Sequence, residues 1–230
     1  MTVLAVIGVL LFVLLGRWQW HRADEKRALE AAYSSGGAEF ASELGARATT
    51  DLPPFAQVRV HGRYDGMHQF LLDNMSHGGR VGYQVLTPFR LDDGRLVLVN
   101  RGWVPLPGGR RDRLPDLALP DASEIEVGGR LDELPAAAIA AGMAPPSPDA
   151  SWPKRTSFPT SVQLSQALGQ PVERRQLLLN EGEPNGFVRD WHEAMLGFPP
   201  QRHVAYALQW WAFAALVGFL FLYLNLECRP

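Results

Sequence analysis

Residues 202–226 read RHVAYALQWWAFAALVGFLFLYLNL, and this stretch decides how the chain is built. From Val204 to Leu226 no side chain carries a formal charge, and only Gln209 and Asn225 are strongly polar. As a helix the run rises about 34 Å, enough to cross a hydrocarbon core of about 30 Å. Within it His203, Tyr206, Trp210 and Phe213 are spaced three, four and three apart, which places them on one helical face. An imidazole beside flat aromatic surface, at the mouth of a span, suits a planar, iron-bearing, mostly apolar ligand such as haem. Ordinary helix packing, or an interfacial aromatic belt, accounts for the same spacing.

A second apolar segment, Thr2–Leu15, lies at the other end of the chain. It reaches spanning length if it runs through Trp18 and Trp20, with Arg17 snorkelling toward headgroups. A signal peptide is the rival reading. The segment lacks a basic leading region, and no small-x-small cleavage pattern precedes Arg17, so two spans are the expectation. Both termini then share one side of the membrane, and the connecting domain occupies the other. Arg17, Arg22, Lys26 and Arg27 follow the first span and would hold that end in the cytoplasm by charge counting, yet long domains translocate despite such charge. Charge alone therefore leaves the topology open.

The rest of the composition excludes several classes. With 22 basic and 24 acidic residues there is no field to attract nucleic acid. The single cysteine, Cys228, lies beyond the second span, so the large domain has no disulfide, no paired-cysteine metal site and no covalent haem attachment motif. No nucleophile elbow, zinc-protease motif or phosphate-binding glycine loop is present, and no acidic pair makes an acid/base set, so the chain is not expected to be an enzyme.

Between the spans the hydrophobic period changes. Arg22–Tyr33 reads as a continuing helix ended by Gly36-Gly37, and Glu39–Ala46 as a further short helix. Thereafter alternation marks strands at Val58–His61, Phe70–Leu72 and Val81–Leu91. Asp92-Asp93-Gly94 turns the chain into a hairpin partner at Arg95–Asn100. Further strands are expected at Trp103-Val104, Ile125–Leu131 and Gln176–Asn180, with loops at Pro105–Pro120 and Ala136–Pro148. Thr160 and Gln163 form a capping-box pattern opening a short helix that Gly169 and Pro171 end. The fold class is a membrane-anchored α+β protein: two transmembrane helices flanking one mainly antiparallel β domain, barrel-like or strongly curved, with short helices. The boundaries are residues 1–20 for the first span, 21–50 for a helical linker, 51–202 for the β-rich domain, 203–226 for the second span and 227–230 for a tail.

Candidate site residues follow from that frame. His203 is the candidate haem iron ligand, with Tyr206, Trp210, Phe213, Trp18 and Gln19 lining the pocket. His21 is a second axial candidate, and Arg17 and Arg22 would meet the propionates. Met67-His68 and Met75-x-His77 offer copper-type ligands in neighbouring turns, though a copper carrier would show tighter repeats, and turn decoration is the simpler reading. His61 and His192 have no partner visible in the sequence.

Several motifs together resemble the Surfeit-locus family of cytochrome c oxidase assembly factors. They are Gly16-x-Trp18-Gln19-x-x-Arg22-x-x-x-Lys26, His61-Gly62-Arg63-Tyr64-Asp65, Leu71-Leu72-Asp73-Asn74 and Gly79-x-x-Gly82-Tyr83-x-Val85-x-Thr87-Pro88. Most specific is Val97-Leu98-Val99-Asn100-Arg101-Gly102-Trp103-Val104-Pro105; Trp152-Pro153-Lys154 and His203-x-x-Tyr206-x-x-x-Trp210 complete the order. The resemblance implies a bacterial inner-membrane protein with its main domain periplasmic and both termini cytoplasmic. It also implies a non-enzymatic role, the handling of haem A during maturation of oxidase subunit I, with subunit I and haem A synthase as partners, membrane lipid around the spans and no nucleic acid. The family's haem-associated histidine corresponds to His203. One departure is Met75, which stands where the family usually has arginine after Asp-Asn. Residues 100–103 receive only a packing account: Gly102 for a tight bend, Trp103 for the β core. The alternative function is an interaction protein that stabilises an oxidase intermediate without binding haem.

Overall fold

The computed structural model describes residues 2–38, 42–119, 123–137, 142–191 and 198–227; His192, Cys228 and part of the Ala136–Pro148 loop lie outside them. The chain divides into two compact units, Met1–Ala32 with Met195–Pro230, and Tyr33–Ala194.

The first unit is a helix pair. Helix α1 is continuous over Thr2–Ala38, so the apolar segment runs without a break into the helical linker expected after residue 20 and through the Gly36-Gly37 pair expected to end it. Past the apolar part, Arg22 pairs with Glu25 and Arg27 with Asp24, both at i,i+3, which is how a solvated helix continues beyond a bilayer. The other helix, called α3 here, covers Pro200–Glu227. Each is long and apolar enough to cross a membrane. Between them Phe12 meets Trp210 and Phe213, and Trp20 meets Trp211, while Gly16, Ala23, Ala207 and Ala214 are buried. A Cβ at Gly16 would lie 2.3 Å from Trp211 Nε1, so the indole occupies space that only glycine leaves. Close approach through small side chains is the usual way for helices to associate where lipid is as apolar as leucine.

The second unit is built on strands β1 (Ser42–Glu43), β2 (Gln57–Tyr64), β3 (Phe70–His77), β4 (Arg80–Leu91), β5 (Leu96–Pro105), β6 (Ile125–Asp132), β7 (Lys154–Thr156) and β8 (Gln176–Leu179). Their order is β1-β2-β6-β8-β5-β4-β3-β7, with β2 also pairing with β4. That extra pairing closes β2, β6, β8, β5 and β4 into a barrel, with β3 and β7 extending beyond it. Most pairings are antiparallel; β1–β2, β3–β7 and β5–β8 are parallel. Closure turns on Gly62, which pairs with Ile125 on one side and Leu91 on the other. Its φ is 154°, and a Cβ there would lie 2.0 Å from the Arg90 carbonyl oxygen.

Three cores follow from the alternation. Val58, Val60 and Tyr64 point into the barrel with Phe89, Val97, Val99, Val127, Leu177 and Leu179. Phe70, Leu72, Leu86 and Leu98 meet Leu164 of helix α2 (Ser161–Leu168), whose expected capping box forms between Thr160 and Gln163. Leu71, Tyr83, Val85 and Val104 point the other way, under Leu117, Leu106 and Phe187. The run Phe70-Leu71-Leu72 is thus apolar throughout because β3 is covered on both faces.

Four expectations need correction. Glu39–Ala46 is not a helix in its described part: Ser42–Glu43 pairs with β2, and Leu44 is buried in the barrel core. The strand expected at Phe70–Leu72 runs on to His77 through a bulge at Asp73-Asn74, with Asn74 at φ 61°. Met75 and His77 accordingly lie on a strand, not in a turn. Trp103-Val104 continues β5 without a break.

The unexplained signature 100–103 is a clamp. Buried Asn100 donates to Gln84 Oε1 (3.1 Å) and Gln176 Oε1 (3.0 Å), tying β5 to both neighbours. Arg101 is fully enclosed and donates to Gln69 Oε1 (2.9 Å), Leu117 O (3.2 Å) and Asn185 O (2.7 Å), with its guanidinium 4.7 Å from the Phe187 ring centroid. None of these acceptors is a carboxylate, and burial lowers its pKa to about 10, which leaves it charged at neutral pH. Gly102, at φ 108°, sits in a β-bulge of β5, where Arg101 and Gly102 together stand opposite Val85, and it lets residue 188 approach, whose carbonyl oxygen would lie 2.4 Å from a Cβ. Trp103 is buried as expected, its Nε1 donating to Met75 O at 3.0 Å.

Two outcomes are expected. Arg101→Leu should cost about 2–4 kcal/mol, because charge-assisted bonds to two loops are lost; limited proteolysis should then cut within 106–119 or 181–190 before the barrel. Burial raises the Asp132 carboxyl to about 6 from 3.8. The folded protein therefore binds this proton more tightly than the unfolded chain, and stability falls as pH rises from 4 through 6. Asp132→Asn should raise stability by up to about 3 kcal/mol at pH 7.5, and the gain should vanish below pH 4 in thermal melts at each pH.

Candidate functional site

The site lies where α1 and α3 pack in the first unit. Gln19 faces His203 across the pair, its Oε1 2.8 Å from His203 Nδ1. An amide oxygen only accepts, so Nδ1 donates to it, and in a neutral ring Nε2 then carries the lone pair. Both residues are half-buried. Phe198 stands edge-on to the imidazole, ring centroids 5.1 Å apart, and stacks with Tyr206 at 6.2 Å and 17°. Phe198 and Tyr206 are 39 % and 45 % exposed, an open aromatic shelf beside the imidazole. The Arg202 guanidinium lies 5.3 Å from the Phe198 centroid.

The aromatic face divides in two. Trp210 stacks on Phe12 at 5.6 Å, and Phe213 tilts against the same ring at 5.8 Å. These two residues thus serve helix packing, whereas Tyr206 remains available. Trp20 stacks on Trp211 at 5.7 Å, and Arg27 lies over the Trp20 ring. Trp18 is 54 % exposed, and Arg17 and His21 are exposed as well. Arg22 pairs with Glu25 at 2.7 Å on the surface. An exposed pair of this kind contributes at most about 1 kcal/mol, so it leaves the guanidinium open to exchange for another carboxylate. Phe198 and Arg202 were not singled out in the sequence; a search for aromatic and basic residues in the turn before the span would have found both.

The copper-type residues are dispersed. His68 bonds Asp65 at 2.7 Å beside Trp152, and His77 faces Asp190 at 3.4 Å. His68 lies two residues before β3 and His77 is its last residue, so the seven steps of the strand, about 23 Å at 3.3 Å per residue, separate them. Among the described residues no group of three His, Cys, Asp or Glu could hold a metal ion. His61 pairs with Asp92 at 2.8 Å, and that carboxylate raises its pKa.

A model of the SURF1 family matches residues 6–215, which takes in both helices and the barrel. The chain belongs to the SURF1 family. Among relatives, a SURF1-like protein of Rickettsia bellii (strain RML369-C) is 32% identical over 101 residues, covering 43% of this chain and 41% of that protein. A SURF1-like protein of Dictyostelium discoideum is 32% identical over 99 residues, covering 39% of this chain and 37% of the relative. The matched stretches thus span about two fifths of these relatives. Members of the SURF1 family are generally cytochrome oxidase assembly factors.

The donor set fits haem as cargo. Among the described residues His203 Nε2 has no hydrogen-bond partner, and with the exposed Phe198 and Tyr206 rings and the Arg202 guanidinium it offers one donor nitrogen, an aromatic surface and a cation of the kinds that haem iron, macrocycle and propionates would need. A single nitrogen ligand suits a carrier, which must release what it holds.

Proposed function

We propose that this SURF1-family chain is a membrane-anchored oxidase assembly factor that holds haem A without covalent attachment and passes it toward oxidase subunit I. The observation that supports the reading is the His203–Gln19 bond, which engages Nδ1 rather than Nε2, with Phe198 against the imidazole and Tyr206 stacked on Phe198. In this reading His203 supplies the axial nitrogen, and Tyr206 and Phe198 cover the macrocycle. Arg17, Arg22 and Arg202 are on hand for the propionates, and His21 is a candidate second ligand. The bound group supplies iron and an apolar plane; the protein supplies a ligand, a surface and an orientation, and no turnover. Haem A synthase is the expected donor. We place the β domain in the periplasm of a bacterial inner membrane, with both termini in the cytoplasm.

A second reading, an interaction protein that stabilises an assembling oxidase subunit without haem, is favoured by one observation. Trp210 and Phe213 are spent on Phe12, which halves the aromatic face the ligand could use.

The test is the visible spectrum of protein purified from cells that make haem A. His203→Ala should abolish the Soret band while the domain melts as before, because the residue belongs to the helix pair. His68→Ala and His77→Ala should leave the band unchanged. Equal haem in His203→Ala and parent would remove the assignment and favour the second reading. For topology, alkaline phosphatase inserted near Gly109 should be active, and a fluorescent cytoplasmic reporter there should stay dark; the reverse pattern would invert the orientation.

A further inference from the structure

Gln19 does more than line a pocket. It sits on α1, and the imidazole it binds sits on α3, so the bond joins two helices 184 residues apart in sequence. The side chain is half-buried, with Trp18 and Trp20 on either side of it in the chain, and an amide drawn out of water is costly unless it is bonded. Its oxygen faces Nδ1, and Phe198 stands against the ring at 64°. Two neighbours of different kinds thus fix both the tautomer and the rotation of one imidazole. In water a neutral histidine divides between its two tautomers, and only the Nδ1–H form offers Nε2 as a donor to a metal. Histidines that ligate metals generally donate their other N–H to an acceptor, commonly a carboxylate or a backbone carbonyl. Here the acceptor is a neutral side-chain amide from the partner helix. A neutral acceptor withdraws less of the proton than a carboxylate does, which keeps the ligand only moderately basic and its hold on iron reversible.

We propose that Gln19 is a positioning residue for His203, holding it as the Nδ1–H tautomer across the helix pair so that Nε2 is presented to the iron of the cargo. The role rests on the haem reading above, and its test separates the two.

The full-length protein in detergent, labelled with ¹⁵N at histidine, reports the tautomer before any haem is present. The parent should show His203 protonated at Nδ1, and Gln19→Leu should shift it toward the Nε2–H form. Titration with hemin should then find Gln19→Leu weaker by about tenfold. Gln19→Glu retains an acceptor and should restore affinity. Its carboxylate should also move the reduction potential of the bound haem below that of the parent, a change that loss of packing would not produce. Unchanged tautomer and affinity in Gln19→Leu, with hemin binding lost in His203→Ala, would overturn the role of Gln19 and leave haem binding standing. A parent that shows the Nδ1–H tautomer yet binds no hemin would overturn the haem reading, and the presentation to iron with it.

Discussion

Close approach of two helices is the constraint on which the site depends. Gly16 leaves a space on α1 that Trp211 of α3 fills. At that separation Phe12 reaches Trp210 and Phe213, Trp20 reaches Trp211, and Gln19 reaches His203. A bulkier residue at position 16 would displace the indole, and a hydrogen bond of 2.8 Å would be lost to a shift of about 1 Å. The polar contact is therefore a product of the packing. In lipid, where apolar burial gives helices little reason to associate, such packing and a single interhelical bond are the available forces.

The β domain depends on a different constraint, closure. Pairing of β2 with β4 removes the open edge a five-stranded sheet would present, and the barrel it forms is filled by alternate side chains of each strand. Outside the barrel the sheet needs covering on both faces. Helix α2 covers one, and loops pinned by Arg101 cover the other. A buried cation served by carbonyl and amide oxygens is an economical pin: it satisfies several acceptors at once from a rigid fork.

Much of this was legible from residues alone. Uncharged length gave the spans, and period-two alternation with Asp92-Asp93-Gly94 gave the central hairpin. The Thr160–Gln163 pair gave the start of α2, since a capping box is a local interaction within four residues. His203 was identified by its place at the end of a span, and Gln19 by proximity to the same interface. Less legible was which of the aromatics does what. Tyr206 and Trp210 have the same spacing logic, yet one is open beside Phe198 and the other is covered by Phe12.

By itself, then, the sequence determined the frame: two apolar helices, strands between them, a histidine at the mouth of one helix, and motifs that name the family. These are read from composition, period and short spacing, all properties of neighbouring residues. The tertiary structure alone decided that β2 closes onto β4, that residues 100–103 clamp loops drawn from two other parts of the chain, and that Gln19 meets His203. Each of those joins residues far apart along the chain, and contacts of that range are chosen by which surfaces can pack at the same time, which no local pattern encodes.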